Sequence, residues 1–462
     1  MYKLRKGWFA VGDQEQKHHK MTTDPVGPLI FRLAVPCIIS MLVTAFYNMA
    51  DTFFVGQMNS NAATGAVGIV FSLMAVIQAV GFFFGQGSGN FISRELGKQN
   101  YEEASNMAAT GFFAALAAGV VICLIGQLFL EPLAYLLGST DTILPYAKSY
   151  MSIILLGAPW MISSLVLNNQ LRFQGSAVYS MVGIASGAVL NVVLDPLLIF
   201  TFDMGVAGAA WATIIGQFVS FCVLLVGSSR GSNLHIHISR VQLKWSYYVA
   251  IFQGGLPSLA RQSLASVATI CLNHAAGLHG DAAIAAMGVV QRIVMGGASA
   301  MIGFGQGFQP FCGFNYGAKL YGRVKEGFWF SFRSSFLFLM VMGGLGFCFA
   351  PNLIAVFRDD PEVIAIGTVA LRFQCVAFWS HSWIVMSNMM LQTIGRTVPA
   401  TFLAMARQGI FFIPLVLILS STLGLLGVQM TQMVSDLLTL AVAIPLQLKA
   451  LRSFPVSDGF SD

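Results

Sequence analysis

The sequence contains one long internal repeat. The run from Phe84 to Gly87, with the letters FGQG, recurs from Phe304 to Gly307, 220 residues later. Further matches at this offset, or within two residues of it, are Gly68 with Gly288, Gly97 with Gly317, Tyr101 with Tyr321, Leu171 with Leu391, Gly175 with Gly395, Pro36 with Pro257, and Pro196 with Pro414. A register that holds from one end of the chain to the other indicates a duplicated unit of about 220 residues.

The repeated unit is too apolar for a soluble protein. Hydrophobic residues make up 56% of the 462 residues and charged residues only 10%, whereas soluble domains carry about 25% charged residues. The chain is therefore predicted to be a polytopic membrane protein. Residues 1–27 are polar and basic and have no apolar core before a cleavage site, so we interpret them as a cytoplasmic tail and not as a signal peptide.

Apolar segments long enough to span a bilayer recur twelve times, six in each repeat. They lie near residues 28–57, 62–92, 104–129, 142–169, 176–201, 206–228, 247–277, 282–313, 327–350, 362–388, 398–420 and 425–448. The fold class predicted is an all-α membrane protein with twelve transmembrane helices in two pseudo-symmetric six-helix bundles. The domains predicted are a tail (1–27), an N-lobe (28–228), a linker (229–246), a C-lobe (247–450) and a C-terminal tail (451–462).

Lysine and arginine residues concentrate in alternate loops. The N-terminal tail, the loops after the second and eighth segments, the linker and the C-terminus are basic, whereas the opposite loops hold mainly acids. Because basic loops remain in the cytoplasm, we expect both termini to be cytoplasmic. Each half then starts and ends on the same side, so the two repeats are parallel.

Three acidic residues fall inside apolar segments: Asp51, Asp195 and Asp436. An ionisable residue inside the membrane is a functional hypothesis by default. Asp51 and Asp195 are predicted to lie at similar depths near the outer ends of the first and fifth helices. The polar side chains expected at the same level are Tyr47, Tyr150, Asn191 and Thr213.

This inventory of carboxylate, amide and hydroxyl oxygens suits a hard cation, H⁺ or Na⁺, and not a soft metal. Two nearby carboxylates in a water-poor site do not readily carry two charges, so a proton can be taken up and released there. The alternative is that these groups only bond to one another and fix helix packing. Asp436 is expected to form a structural ion pair with Arg261, Arg292 or Arg407, and His381 to be a bonded residue of the bundle interior.

The residues around the two acids resemble a known family. The run from Tyr47 to Gly56, YNMADTFFVG, and the run from Leu190 to Pro196, LNVVLDP, resemble the first and fifth helices of multidrug and toxic compound extrusion (MATE) transporters. The chain looks most like the prokaryotic DinF-like branch over essentially its whole length. In that branch, the resemblance implies a cation site formed here by Tyr47, Asp51, Tyr150, Asn191, Asp195 and Thr213.

The resemblance also implies how the protein works. Pro36 matches the proline at which the first helix is proposed to bend, and proline weakens a helix by removing one backbone hydrogen bond. The related NorM-like branch uses acids where this chain has Gln262 and His381. A second cation site in the C-lobe is therefore not expected.

The family implies an antiporter that exports lipophilic, often cationic, compounds in exchange for H⁺ or Na⁺ by alternating access of two lobes. No nucleotide-binding loop, cofactor motif or catalytic set is apparent, so neither an enzyme nor a cofactor is expected. Polar residues predicted to line the substrate pathway are Gln78, Asn168, Asn169 and Gln174.

The expected partners are small organic molecules and membrane lipids, with no nucleic acid. We expect a monomer in the prokaryotic inner membrane. Two alternatives remain at this point. A flippase for a lipid-linked saccharide belongs to the same superfamily, but such flippases often have fourteen helices and a basic cavity. A channel or receptor is disfavoured by whole-length duplication with acids embedded in one half.

Overall fold

The computed structural model describes residues 14–57 and 61–455, and within them the chain is helical with no β-strand. The helices are α1 (residues 14–23), α2 (Val26–Gly56), α3 (Asn61–Gly97), α4 (Tyr101–Leu128), α5 (Leu130–Leu136), α6 (Leu144–Phe173), α7 (Ala177–Pro196), α8 (Gly205–Ser228), α9 (Trp245–Gly277), α10 (Asp281–Gly317), α11 (Tyr321–Cys348), α12 (Ala350–Phe357), α13 (Pro361–Ala377), α14 (Ser380–Thr393), α15 (Thr397–Met405), α16 (Phe412–Leu423) and α17 (Leu425–Arg452).

The spans agree with the sequence prediction. Ten helical segments of the described residues are long and apolar enough to cross a membrane, and α13 with α14 forms an eleventh span that bends by 57°. The remaining predicted span, near residues 247–277, corresponds to α9. This helix is 33 residues long, but it contains the polar residues Gln253, Arg261 and Asn273. The short helices α5 and α12 follow α4 and α11 at matching places in the two repeats, and they were not predicted.

The chain forms two compact units. The N-unit contains the described residues up to Asp24 and Val35–Gly255, and the C-unit contains Pro25–Ala34 and the chain from Leu256 onward. Each unit therefore includes a short piece of the other repeat. Helix α2 passes from the C-unit into the N-unit next to Pro36, and α9 passes from the N-unit into the C-unit next to Pro257.

The cytoplasmic tail and linker predicted from the sequence pack on the N-unit. Lys17 Nζ donates to Ser176 Oγ at 2.7 Å and to Asn233 Oδ1 at 3.2 Å. Burial against these neutral partners lowers the pKa of Lys17 to about 8. The Leu234 N–H donates to Gln174 Oε1 at 2.7 Å, so the linker is bonded to α6. Residues 1–13 of the tail and 456–462 of the C-terminal tail lie outside the described residues.

Regular helix geometry is interrupted at two π-helical segments. Leu197–Thr201 follows Pro196 at the end of α7, and Ala406–Ile410 lies between α15 and α16. Such segments shift the side chains that follow them and are frequent at functional sites. The first begins two residues after Asp195, and the second contains Arg407. Both therefore adjoin a charged residue inside the membrane.

Candidate functional site

Close helix packing in the N-unit brings the predicted site residues together. Helices α7 and α8 cross at Gly187 and Gly216, where an added Cβ would lie 2.5 to 2.7 Å from the carbonyl oxygen of the other glycine. Only glycine permits this approach without displacing the backbone. Asn191 lies one turn beyond Gly187, and Thr213 lies one turn before Gly216. The crossing therefore sets these two side chains face to face.

Two carboxylates occupy this part of the N-unit. Asp51 of α2 is 4% exposed and Asp195 of α7 is 0% exposed. Their Oδ1 atoms are buried and accept no hydrogen bond from the described residues. Within the described part of the chain, neither carboxylate has a lysine, arginine or histidine within 4.0 Å. If both were ionised, the two groups would repel each other, and no basic side chain of the described residues would balance their charge.

The amide of Asn191 connects Asp195 to α8. With the amide orientation assigned from its partners, Asn191 Nδ2 donates to Asp195 Oδ2 at 3.2 Å, and Asn191 Oδ1 accepts from the Thr213 N–H at 3.1 Å. The Tyr150 side chain lies near Thr213. All four of these residues are at most 2% exposed.

Tyr47 completes the set predicted from the sequence. Its hydroxyl is hydrogen-bonded to Gln217 and senses the charges of both Asp51 and Asp195. The structure thus brings together all six residues named for a cation site. Gln217 is an additional polar member that the sequence analysis did not identify as part of the site, although it follows Thr213 by one helical turn.

A small cavity adjoins these residues. It has a volume of about 70 Å³ and is lined by polar residues of four helices, namely Thr44, Tyr47, Gln78, Asn191, Thr213, Gln217 and Ser220. This volume accommodates a few water molecules or a hydrated cation, whereas drug-sized ligands occupy roughly 300–1,000 Å³. The cavity in this conformation therefore fits the ion and not the organic substrate.

The four residues predicted for a substrate pathway lie in different places. Gln78 lines the cavity. Asn168 Nδ2 donates to Ser180 Oγ at 2.6 Å, and Asn169 Oδ1 accepts from Arg172 NH2 at 2.7 Å. Gln174 bonds the linker, as described above. Asn168, Asn169 and Gln174 thus have structural partners, and their role in a pathway stays a prediction.

The chemistry of the site suits H⁺ or Na⁺. Oxygen atoms of carboxylate, amide and hydroxyl groups are the ligands that hard cations prefer, and the buried oxygens without partners are available to them. No group of three His, Cys, Asp or Glu side chains capable of holding a metal ion occurs among the residues described. The alternative is that these groups form only a structural hydrogen-bond network. It leaves the Oδ1 atoms of Asp51 and Asp195 unexplained, because buried polar atoms are normally hydrogen-bonded.

The third intramembrane acid lies in the C-unit and is fully engaged. Asp436 Oδ1 accepts from Arg407 Nε and from Gln432 Nε2, each at 2.8 Å, and Asp436 Oδ2 lies 2.7 Å from His381 Nε2. The expected ion pair is therefore confirmed, with Arg407 as the partner. His381 is bonded in the bundle interior, as expected.

The family model MatE matches residues 36–197 and 257–418 of the chain. Both matches begin at the paired prolines Pro36 and Pro257, which confirms the internal duplication. Together they cover more than half of the sequence. The branch of the family, DinF-like or another, stays a prediction.

Curated relatives match the chain over nearly its full length. The multidrug export protein MepA of Staphylococcus saprophyticus is 26% identical over 408 residues, covering 88% of this chain and 90% of the relative. MepA of Staphylococcus aureus is 24% identical over 432 residues, covering 93% and 95%.

Solved structures show the same fold. One described as the outward-facing conformation of a multidrug resistance MATE family transporter aligns with a TM-score of 0.89 at 25% identity, covering 94% of this chain and 98% of that one. Structures of MATE in the straight and the bent conformation align with TM-scores of 0.89 and 0.86. The match of the family model to both repeats, with these structural likenesses, shows that the chain belongs to the MatE family of membrane transporters and is not an enzyme.

Proposed function

We propose that this protein is a secondary active antiporter that exports lipophilic, often cationic, compounds in exchange for H⁺ or Na⁺. The observation that carries the proposal is the pair of buried carboxylates, Asp51 and Asp195, with bare oxygens and no basic partner among the described residues. The names of the relatives, multidrug export proteins, support drugs or toxic metabolites as the cargo. They favour drug export over the flippase alternative.

Coupling follows from the charge of the site. With no cation bound, Asp51 and Asp195 repel each other in a compartment that is poor in water. A proton on one carboxylate, or a sodium ion between them, removes this repulsion and gives the bare Oδ1 atoms a partner. The N-unit therefore has two arrangements of different charge, and the cation selects between them.

Helix α2 is the element through which the cation site acts on the rest of the protein. It carries Asp51, and at Pro36 it passes from one compact unit to the other. Because Pro36 has no N–H, the helix lacks one backbone hydrogen bond there and bends at low cost. Proton or sodium binding at Asp51 changes the interactions that fix the outer part of α2. In response, the two units open the substrate pathway alternately to the two sides of the membrane. We propose that both termini lie in the cytoplasm, because the basic loops are on their side of the membrane.

The deciding experiment is transport in liposomes. Purified protein is reconstituted and the efflux of a fluorescent lipophilic cation is followed while a pH gradient and a Na⁺ gradient are imposed separately. A response to only one gradient identifies the coupling ion. The variants Asp51→Asn and Asp195→Asn are compared with Glu131→Gln, which removes an exposed carboxylate paired with Lys148.

We expect Glu131→Gln to transport like the parent and both aspartate variants to lose the response to the gradient. Substrate movement that neither gradient drives in the parental protein would exclude an antiporter. Normal coupled export by both aspartate variants, at normal expression, would show that these two carboxylates are not needed for coupling. The proposal of an antiporter would then stand, but not the proposed cation site.

A further inference from the structure

We infer that the C-unit contains a second recognition site, for the carboxylate of an amphiphilic substrate, centred on Arg261. The inference rests on the proposed export function, because it names a class of substrate for it. It is carried by a guanidinium that has no carboxylate partner among the described residues, at a point where three interrupted helices approach one another.

Arg261 of α9 is half-buried and lies one turn beyond Pro257. Its guanidinium NH1 donates to the neutral Asn388 Oδ1 at 3.2 Å. No aspartate or glutamate of the described residues lies within 4.0 Å of it. A charge removed from water is costly unless it is paired, so an anionic group delivered by a ligand is strongly favoured there.

A second guanidinium, that of Arg407, adds to the positive potential. It repels Arg261 electrostatically. Its Nε atom donates to Asp436, and its NH2 atom lies 2.9 Å from His381 Nε2. Since Asp436 also accepts from Gln432 and lies against His381, its charge is already shared among three partners. With two arginines and one carboxylate, the cluster has a net positive charge of one when His381 is neutral.

Interrupted helices surround this cluster. His381 follows the 57° break between α13 and α14, Arg407 lies in the π-helical segment Ala406–Ile410, and Pro257 lies inside α9. Gly409 lets the π segment approach α9 closely, because an added Cβ would lie 2.7 Å from Leu264 Cδ1. Broken helices at membrane depth are tolerated where they line a binding site or cavity.

By the internal repeat, this cluster corresponds to the part of the N-unit that lines the cavity. By the register of the repeat, His381 corresponds to Met161 and Asp436 corresponds to Gln217, and both Met161 and Gln217 line the cavity of about 70 Å³. Asn388 corresponds to Asn168, and each donates its amide to the backbone carbonyl twelve residues later. Where the N-unit cavity is lined by the neutral Met161 and Gln217, the C-unit thus carries the ionisable residues His381 and Asp436.

The chemistry selects the ligand. Arginine pairs with a carboxylate through two parallel N–H···O bonds, and the aromatic ring of Phe378 lies 5.1 Å from the His381 ring. A flat aromatic compound with a carboxylate matches both features. The positive site would bind the carboxylate of such a compound. The same compound can also carry a cationic group, so it stays within the class of lipophilic cations that we propose the protein exports.

The test uses two matched dyes: a rhodamine with a free carboxylate, and the methyl ester of the same rhodamine. Binding to detergent-purified protein is measured by fluorescence polarisation, with empty micelles as the blank. We expect Arg261→Gln to shift the ratio of the two dissociation constants against the free acid by about tenfold, the scale of one charge-assisted hydrogen bond. Arg261→Lys, which keeps the charge, should retain part of the preference.

Arg292→Gln is the matched control, since Arg292 is an exposed arginine of α10 outside the cluster. Size-exclusion elution and thermal melting establish that each variant is folded. If Arg261→Gln does not fold, Asn388→Asp places a competing carboxylate beside Arg261 and should lower the affinity for the free acid.

Equal effects on both dyes, no effect on either, or no binding of the free acid by the parental protein would overturn the inference. Because binding is measured without any ion gradient, these outcomes are independent of the antiport assay. A failure of gradient-driven export leaves the binding result standing, and the reverse also holds.

Discussion

The two units of this protein hold their buried acids in opposite ways. In the N-unit, Asp51 and Asp195 are buried together with bare oxygen atoms and no basic residue within 4.0 Å among the described residues. In the C-unit, Asp436 accepts hydrogen bonds from Arg407 and Gln432 and lies 2.7 Å from His381 Nε2. One acidic pair is unsatisfied and the other acid is fully satisfied.

This difference separates function from stability. A carboxylate with free oxygens can gain a proton or a metal ion without breaking any bond. A carboxylate held by an arginine and two further groups loses three interactions if it is protonated, because its charge is what holds them. Duplication supplied two equivalent scaffolds, and substitution at a few positions gave them different tasks.

The largest expected effect comes from removing one charge of the N-unit pair. Asp51→Asn or Asp195→Asn should reduce gradient-driven export to the level of protein-free vesicles. An amide does not take up a proton near neutral pH, and it ligates cations only weakly. Direct measurement of cation-dependent fluorescence or proton release by the purified variants shows whether the cation site itself is lost. Export by either variant at the parental rate would show that its carboxylate is not needed for coupling, and the proposed functional difference between the two units would be wrong.

Removing the acid of the C-unit should act on stability instead. Asp436→Asn leaves the guanidinium of Arg407 uncompensated, and breaking a buried pair costs about 3–5 kcal/mol; since the Arg407 side chain is 23% exposed, roughly 2–4 kcal/mol is expected. Thermal melting in detergent measures the loss. In the same assay, Asp51→Asn should melt no lower than the parent, because it removes a repulsion. A coupling defect in Asp436→Asn without a drop in melting temperature would reverse the assignment.

The paired prolines give the next comparison. Pro36→Ala restores an N–H in α2 and stiffens the helix some four turns before Asp51, so we expect transport to slow severalfold while cation binding is kept. Pro257→Ala makes the same change in α9, which carries no acid inside the membrane, and should slow transport less. Turnover of both variants under one gradient tests this. Parental rates for Pro36→Ala would mean that bending of α2 is incidental.

The smallest effects concern single hydrogen bonds. Tyr47→Phe removes the hydroxyl bonded to Gln217 and should lower the coupled rate by about two- to fivefold, the scale of one such bond. Gln432→Met removes one of the donors to Asp436 and should lower the melting temperature by a few degrees without changing the rate. Initial rates and melting curves of the two variants are measured side by side. A lower rate only for Gln432→Met, together with a lower melting temperature only for Tyr47→Phe, would contradict the assignment of coupling to the N-unit and of stability to the C-unit.

Much of the site was predictable from the sequence because helical periodicity fixes depth. The spacing from Asp51 to Tyr47 and from Asp195 to Asn191 places each pair one turn apart on one face, and the membrane fixes where a helix begins and ends. Depth alone does not fix which faces of different helices meet. The contact of Asn191 with Thr213 depends on the crossing of α7 and α8 at two glycines. The contact of Tyr47 with Gln217 depends on how α2 packs beside α8.

The sequence by itself determined the duplication, the twelve spans and the presence of three acids inside the membrane, since these follow from the repeat register and from the cost of charge in lipid. The tertiary structure decided what each acid does. Arg407 reaches Asp436 from a π-helical segment, and α2 and α9 each pass between the two compact units, features with no sequence signature beyond a proline. Partner choice is a matter of distances of a few ångströms between separate helices, and these are set only when the helices pack.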